Sequence, residues 1–213
     1  MNVPVPSVPS ASGPVPRGRA ALLGVLLTVV VAALLGGCGS DAAPAPSPTD
    51  ATSAVDLTVV SEASLRPGDA VPPPTGPVLL TVRGGTTTNV GEELQLDRDL
   101  LERLGVMSYE VQDDDATGQL ATFSGPLVRD LLAVAGGDAT MMHAVALNDY
   151  VVDVPVKDAQ DLPLLLATRM DGKPMSVANY GPTRFVYPSS GYDLDPAVYD
   201  PRAIWQLATI TLK

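Results

Sequence analysis

The chain contains a single cysteine, Cys38, and this fact limits what the rest of the chain can form. Residues 39–213 lack cysteine, so they form no disulfide, no cysteine-rich zinc site and no catalytic thiol. They also contain one histidine, His143, which leaves no cluster of histidines to bind a metal. Any folded part must therefore form without cross-links that depend on cysteine.

An apolar run, Ala20–Leu35, follows two arginines and precedes Cys38. It is shorter than the roughly 20 residues that span a bilayer, but long enough for the apolar part of a signal peptide. The run ends in Leu35-Gly36-Gly37-Cys38, which resembles the bacterial lipobox, whose cysteine carries the lipid. We therefore predict that residues 1–38 are a lipoprotein signal peptide and that Cys38 is lipidated. An uncleaved anchor helix is the alternative, and both interpretations place the body on the extracytoplasmic face of the cell membrane.

Residues 39–77 are rich in proline, alanine, serine and threonine, a composition typical of an extended tether. The part of the chain from residue 39 onwards has 11 lysines and arginines against 24 aspartates and glutamates. Nucleic acid is bound through clustered basic residues that neutralise its phosphates. We therefore predict no nucleic-acid partner.

Apolar alternation and turn residues predict a strand-rich domain over residues 78–213. Asp97 is predicted to cap a first helix that includes Leu96, and Gly125-Pro126 to open a second. The tight turns Asn148-Asp149 and Asp171-Gly172 are predicted to join strands. The predicted strands are 78–83, 106–111, 119–123, 141–147, 150–154, 164–170, 183–187 and 207–212. This pattern indicates an α+β domain, mostly β, with short helices.

Five short motifs follow one another through this domain. They are Phe123–Leu132, Asp149–Pro155, Ala167–Met175, Gly181–Pro188 and Trp205–Ile210. In this order and spacing they resemble the molybdopterin-binding domain of sulfite-oxidase-type oxidoreductases. The resemblance implies a mixed, barrel-like sheet and makes molybdopterin a possible cofactor. It also predicts a core that buries Leu147, Val152, Val154, Leu166, Val186, Trp205 and Leu207.

The departures from that family concern its metal ligand. Its enzymes bind molybdenum through a cysteine near the position of residues 111–118, where this chain has Asp113-Asp114-Asp115. A soft thiolate completes the sulfur-rich shell of the metal, and carboxylates are hard donors. The lysine usual before the tryptophan is Ile204 here. We therefore predict no catalytic site of the sulfite-oxidase type and no metal; the same departures argue against a bound cofactor but leave molybdopterin as the alternative.

The resemblance leaves four candidate contacts for a small anionic ligand: Arg184, Arg169, Tyr150 and Asn148. Arg169, Arg184 and nearby Lys173 are the cations that would clamp a phosphate or carboxylate, and ordinary surface ion pairs are the alternative.

Three further sets of residues are weaker candidates. Asp193, Asp195 and Asp200 have the hard oxygens that calcium prefers, but their spacing lacks the glycine and terminal glutamate of an EF-hand, which favours a solvated loop. His143 is predicted to be structural. Four tyrosines mark a ligand-facing surface: Tyr180, Tyr187, Tyr192 and Tyr199.

Two functions fit this sequence. The first is a lipid-tethered, non-enzymatic module that binds a small molecule or a membrane protein partner. The second is a molybdopterin-dependent oxidoreductase with an atypical site that passes electrons to a membrane partner. The missing cysteine favours the first, because the second has no thiolate for its metal.

Overall fold

This computed structural model describes residues 55–113 and 118–213. Within them, segments of alternating apolar residues form strands that pair into sheets. In these two stretches the strands are β1 (Thr58–Ser61), β2 (Leu80–Arg83), β3 (Leu94–Leu96), β4 (Val106–Asp113), β5 (Gln119–Gly125), β6 (Met141–Ala146), β7 (Val151–Pro155), β8 (Leu165–Ala167), β9 (Arg169–Met170), β10 (Lys173–Pro174), β11 (Arg184–Val186) and β12 (Leu207–Leu212). The helices are α1 (Arg98–Glu102), α2 (Val128–Ala135), α3 (Val156–Asp161) and α4 (Pro196–Tyr199). Single 3-10 turns cover Val177–Asn179 and Asp200–Arg202. None of the helices in these stretches has the length and apolar character needed to cross a bilayer.

The strands form two five-stranded sheets and one strand pair. The first sheet has the order β1-β4-β5-β9-β10, the second has the order β3-β2-β12-β6-β7, and β8 pairs with β11. Strand β12 runs parallel to β2 and antiparallel to β6, so the second sheet is mixed. The mostly β, mixed-sheet fold predicted from the sequence is confirmed. The barrel-like packing is not, because each sheet in the described residues has two edge strands.

The core has two parts. The larger packs helix α2 against the second sheet, with Leu131, Leu80, Met142 and Ile210 almost completely buried. The smaller lies beside the first sheet and the β8–β11 pair, around the fully buried ring of Phe123. Strand β5 contributes Phe123 to this smaller core, and its last residue, Gly125, lies against Leu166 of β8.

Local predictions hold where the turn residues decide the backbone. Strands β6 and β7 pair around Asn148-Asp149, with Asp149 at a φ of 63°. Asp171 and Gly172 both have positive φ and join β9 to β10, as a primed turn requires.

Three predicted elements differ in the structure. Leu96 lies in β3, because helix α1 begins only after its cap at Asp97. Gly125 ends β5, and α2 begins at Val128. The single strand predicted over residues 164–170 is divided at Thr168: β8 before it pairs with β11, whereas β9 after it pairs with β5. One stretch of sequence therefore serves two sheets.

Part of the predicted tether is folded. Strand β1 pairs with β4, and Leu65 and Val71 are buried in the larger core. All four residues of β1 are exposed, but Val55 and Leu57, just before it, pack half-buried against the smaller core. Residues 55–77 therefore pack with the domain, whereas Cys38 and the first part of the tether lie outside the described residues.

The predicted core is correct at Val154, Leu166, Val186 and Leu207, all of which are buried. It is wrong at Leu147, which is 52% exposed. Leu147 follows the last residue of β6, where the chain leaves the sheet for the turn, so the alternation no longer points it inward. Val152 and Trp205 are only half-buried.

Asp97 joins helix α1 to the chain that precedes β2. Its carboxylate accepts hydrogen bonds from the main-chain N–H groups of Leu100, Thr75 and Gly76, at 3.0, 2.8 and 2.8 Å. Burial raises the pKa of this carboxyl, but the three N–H donors outweigh it and hold the pKa below its usual value. The charged carboxylate therefore stabilises the fold.

Replacing Asp97 by asparagine is expected to lower the free energy of unfolding by about 1–3 kcal/mol at neutral pH. Because the folded-state pKa is lowered, the stabilisation is complete above the unfolded value of about 4 and is lost as the pH falls further. Urea melts of both proteins between pH 7 and pH 3 measure this, and their difference should shrink below pH 4. A difference that stays constant over that range would contradict the assigned role of the charge.

Candidate functional site

A cavity of about 350 Å³ lies where the end of β4 meets β11. Strand β4 contributes Val111 and Gln112, and β11 contributes Arg184 and Val186. The chain from residue 187 to residue 203 closes the opposite side. We call this space cavity A. It contains the part of β4 where the family resemblance places the metal-binding cysteine.

Of the four predicted ligand contacts, Arg184 is the one that lines cavity A. Its side chain is almost completely buried, and its guanidinium carbon lies 5.0 Å from the ring centroid of Phe123 and 5.7 Å from that of Trp205. Aromatic faces stabilise a cation at these distances. Among the described residues that line cavity A, Arg184 is the only lysine or arginine.

Tyr109 fixes β4 against β11, so that the two sides of cavity A keep their spacing. Its hydroxyl lies 2.6 Å from the carbonyl oxygen of Val186 and 3.1 Å from that of Pro163, and shares its hydrogen between them. Burial raises the pKa of this hydroxyl, so it stays protonated as a donor. At the mouth, the main-chain N–H of Gln112 donates to the hydroxyl of Ser189 at 3.2 Å.

A buried polar network supports the wall opposite β4. The Tyr187 hydroxyl donates to the Asp158 carboxylate at 2.9 Å, and Arg202 donates to the same oxygen at 3.0 Å. The Tyr199 ring lies edge-to-face with Tyr187, with ring centroids 5.2 Å apart, and the Arg202 guanidinium lies 5.5 Å from the Tyr199 ring. Burial, and then the charge of Asp158, raise the pKa of Tyr187, which therefore donates a proton to the bond rather than acting as a base.

Sequence reasoning missed this network. Asp158 is 29 residues from Tyr187 and 44 residues from Arg202, and it lies on a short helix with three other polar residues. No local pattern distinguishes it from Asp161, which makes an exposed ion pair with Lys157. Only the packing of α3 behind the cavity selects Asp158.

A second cavity, of about 580 Å³, contains the other predicted contacts. We call it cavity B. Asn148 and Tyr150 line it from the β6–β7 turn, and Tyr180, Trp205 and Gln206 line it from the other side. The two cavities share Asp200 and Ala203 in their linings. The four candidate tyrosines thus divide, with Tyr187, Tyr192 and Tyr199 at cavity A and Tyr180 at cavity B.

Arg169 and Lys173 line neither cavity. The Arg169 guanidinium donates to one carboxylate oxygen of Glu102, from Nε at 3.0 Å and from Nη2 at 2.6 Å. Lys173 lies exposed on β10. The predicted clamp of Arg169, Lys173 and Arg184 is therefore not assembled around either cavity, and Arg169 forms an ordinary ion pair.

The remaining candidate residues make contacts within the fold. His143 Nδ1 lies 2.7 Å from the Asp153 carboxylate, across the β6–β7 pair. Asp195 caps α4 by accepting from the N–H of Ala197. The described residues contain no group of three potential metal ligands, so Asp193, Asp195 and Asp200 do not form the considered calcium site there. Of the acidic run 113–115, Asp114 and Asp115 lie outside the described residues.

The match to a family model agrees with the motifs. Residues 96–191 match the family described as the oxidoreductase molybdopterin binding domain, and four of the five motifs lie in that range. A solved structure, the sulfane dehydrogenase SoxCD from Paracoccus pantotrophus, matches with 15% sequence identity and a TM-score of 0.47. That match covers 68% of this chain and 40% of the SoxCD chain. No curated protein matches this sequence. The predicted family resemblance is confirmed.

Proposed function

We propose that this protein is a non-catalytic member of the oxidoreductase molybdopterin-binding family, whose model matches residues 96–191. In this proposal it is a lipoprotein held on the extracytoplasmic face of the cell membrane through Cys38. Its domain binds a small molecule or a membrane protein partner, with Arg184 in cavity A as the contact for an anionic group. A fold can keep a binding site after its chemistry has been lost.

The donor set of cavity A supports this proposal. Its described lining contains no cysteine and no methionine, and residues 39–213 contain no cysteine at all. The donors in its lining are carboxylate, hydroxyl and main-chain groups, which are hard ligands rather than the soft thiolate of the family's enzymes. Ile204, in the place of the usual lysine, is buried in the larger core and provides no charge. The residues present therefore do not fit a molybdenum-bearing cofactor.

We expect the protein to purify without stoichiometric molybdenum from a host that makes the molybdenum cofactor. The physical reason is the missing thiolate, because a carboxylate in its place would change the donor from soft sulfur to hard oxygen. Elemental analysis and a fluorescence assay for released pterin measure this, with a sulfite-oxidase-type enzyme from the same host as the loading control. About one molybdenum per chain, with turnover of an S- or N-oxide, would support the alternative, an oxidoreductase with an atypical site.

The membrane attachment has its own test. Replacing Cys38 by serine is expected to abolish incorporation of labelled fatty acid and to leave a larger precursor, because serine has no thiol to accept the lipid. Metabolic labelling and membrane fractionation of both forms measure this. Stable attachment needs the two or three acyl chains of lipoprotein processing, since one chain binds only marginally. Equal labelling of the two proteins would contradict the proposal.

A further inference from the structure

Cavity B is a preformed space with aromatic walls. Tyr180 and Trp205 have ring centroids 4.5 Å apart and planes inclined at 68°. A main-chain hydrogen bond ties the two segments together: the N–H of Gln206, the residue after Trp205, donates to the carbonyl of Tyr180 at 3.1 Å. The Gln206 side chain also donates to the carbonyl of Val177 at 2.8 Å. The two rings are therefore held in place before any ligand arrives.

Tyr150 forms the third aromatic wall, on the β6–β7 turn. Its hydroxyl donates to the carbonyl oxygen of Pro201 at 2.9 Å, and its N–H donates to the side-chain oxygen of Asn148 at 3.2 Å. Although this hydrogen bond holds its hydroxyl in place, Tyr150 remains 45% exposed. An aromatic ring held at the surface of a cavity presents apolar area and a negative π face to a ligand.

The charge around cavity B is negative. Asp200 is the only lining residue in the described chain that carries a charge at neutral pH. Ile204 contributes no charge, and Arg184 lies beside Trp205 but lines cavity A instead. The chain as a whole has a formal charge of −11. An anionic ligand would meet a carboxylate in the lining of cavity B and no lysine or arginine there.

The kind of cation follows from the donors. A hydrated inorganic cation such as calcium needs six or more oxygen ligands, and the described residues contain no group of three acidic, histidine or cysteine side chains that could hold a metal ion. A diffuse organic cation is instead bound by aromatic faces, with a carboxylate nearby. The volume of cavity B, about 580 Å³, is in the range of small-molecule sites.

We propose that cavity B is a second binding site, specific for an organic cation of the quaternary ammonium class. Tyr150, Tyr180 and Trp205 supply the aromatic faces, and Asp200 supplies the opposite charge. Arg184 lines cavity A and not cavity B, although Asp200 and Ala203 belong to both linings, and the proposed site makes no use of molybdenum chemistry.

Trp205 is the only tryptophan in the chain, so its fluorescence reports on cavity B directly. The probes are choline and 3,3-dimethylbutan-1-ol, which has the same shape with a neutral carbon in place of nitrogen. We expect a saturable change of Trp205 emission with choline, and binding of the alcohol at least about tenfold weaker, since the cation–π attraction is lost. Equal binding of the two, or no saturable response to choline, would overturn the proposal.

Two variants locate the site. Asp200→Asn is expected to weaken choline binding about fivefold or more, whereas Asp193→Asn, on the same loop but in neither cavity lining, should leave it unchanged. Calorimetric titration provides a second readout, and thermal melts confirm that both variants fold. Inorganic phosphate should not displace choline, and displacement would overturn the assignment of a cation site. The molybdenum measurement is independent of all these results, so either proposal can fail alone.

Discussion

Replacement of Gly125 by alanine is expected to lower the free energy of unfolding by at least about 3 kcal/mol, or to prevent folding. A Cβ atom at this position would lie 2.1 Å from the carbonyl oxygen of Leu166 and 3.1 Å from the Cα of Ala167. Both are main-chain atoms of β8, so no side chain can rotate away. The strands must separate to admit the methyl group.

The surrounding hydrogen bonds make that separation costly. Next to Gly125, the N–H of Leu166 donates to the carbonyl of Pro126, and the N–H of Thr168 donates to that of Ser124, both at 2.9 Å. Moving β5 away from β8 would break these bonds and disturb the buried Phe123 ring below Arg184. The substitution is therefore expected to disturb cavity A as well as the sheet.

Denaturant melts monitored by circular dichroism measure the effect of Gly125→Ala. The matched control is Gly76→Ala, where the nearest atom to the added Cβ is a carboxylate oxygen of Asp97 at 3.5 Å, an ordinary contact distance. The control should unfold close to the wild type. A Gly125→Ala protein with wild-type stability would show that β5 and β8 are further apart than the structure places them.

The second large effect is expected at Asp158. Replacing it by alanine should lower the free energy of unfolding by about 3 kcal/mol, because this buried carboxylate is the shared acceptor of the half-buried Arg202 and of Tyr187. Arg202 would lose its carboxylate, and Tyr187 would keep a buried hydroxyl without its acceptor. The wall of cavity A formed by Tyr187 and Tyr199 would lose its support from α3.

The same helix provides the control for Asp158. Asp161→Ala removes an ion pair with Lys157 that lies in solvent, where such pairs contribute little. Chemical unfolding of both variants, with near-ultraviolet circular dichroism to follow the tyrosines, separates the two cases. Similar stabilities for Asp158→Ala and Asp161→Ala would mean that the network does not support the fold.

The sequence predicts best where a few adjacent residues decide the backbone. The Asp97 cap and the turns at Asn148-Asp149 and Asp171-Gly172 occur where they are predicted, because capping and positive φ depend on local chemistry. Prediction fails at Thr168, where the single strand predicted over residues 164–170 is shared between two sheets. Apolar character says that a segment is buried, but it does not say against which partner.

The sequence by itself determined the family resemblance, the mostly β fold and the absence of a thiolate from residues 39–213, because motif order and composition do not depend on coordinates. Only the tertiary structure decided that Arg184 is buried beside two aromatic rings while Arg169 pairs with Glu102. It also decided that Asp158 supports a cavity wall formed by residues far along the chain. Side chains meet across a cavity through strand order and register, which long-range packing sets and local sequence does not encode.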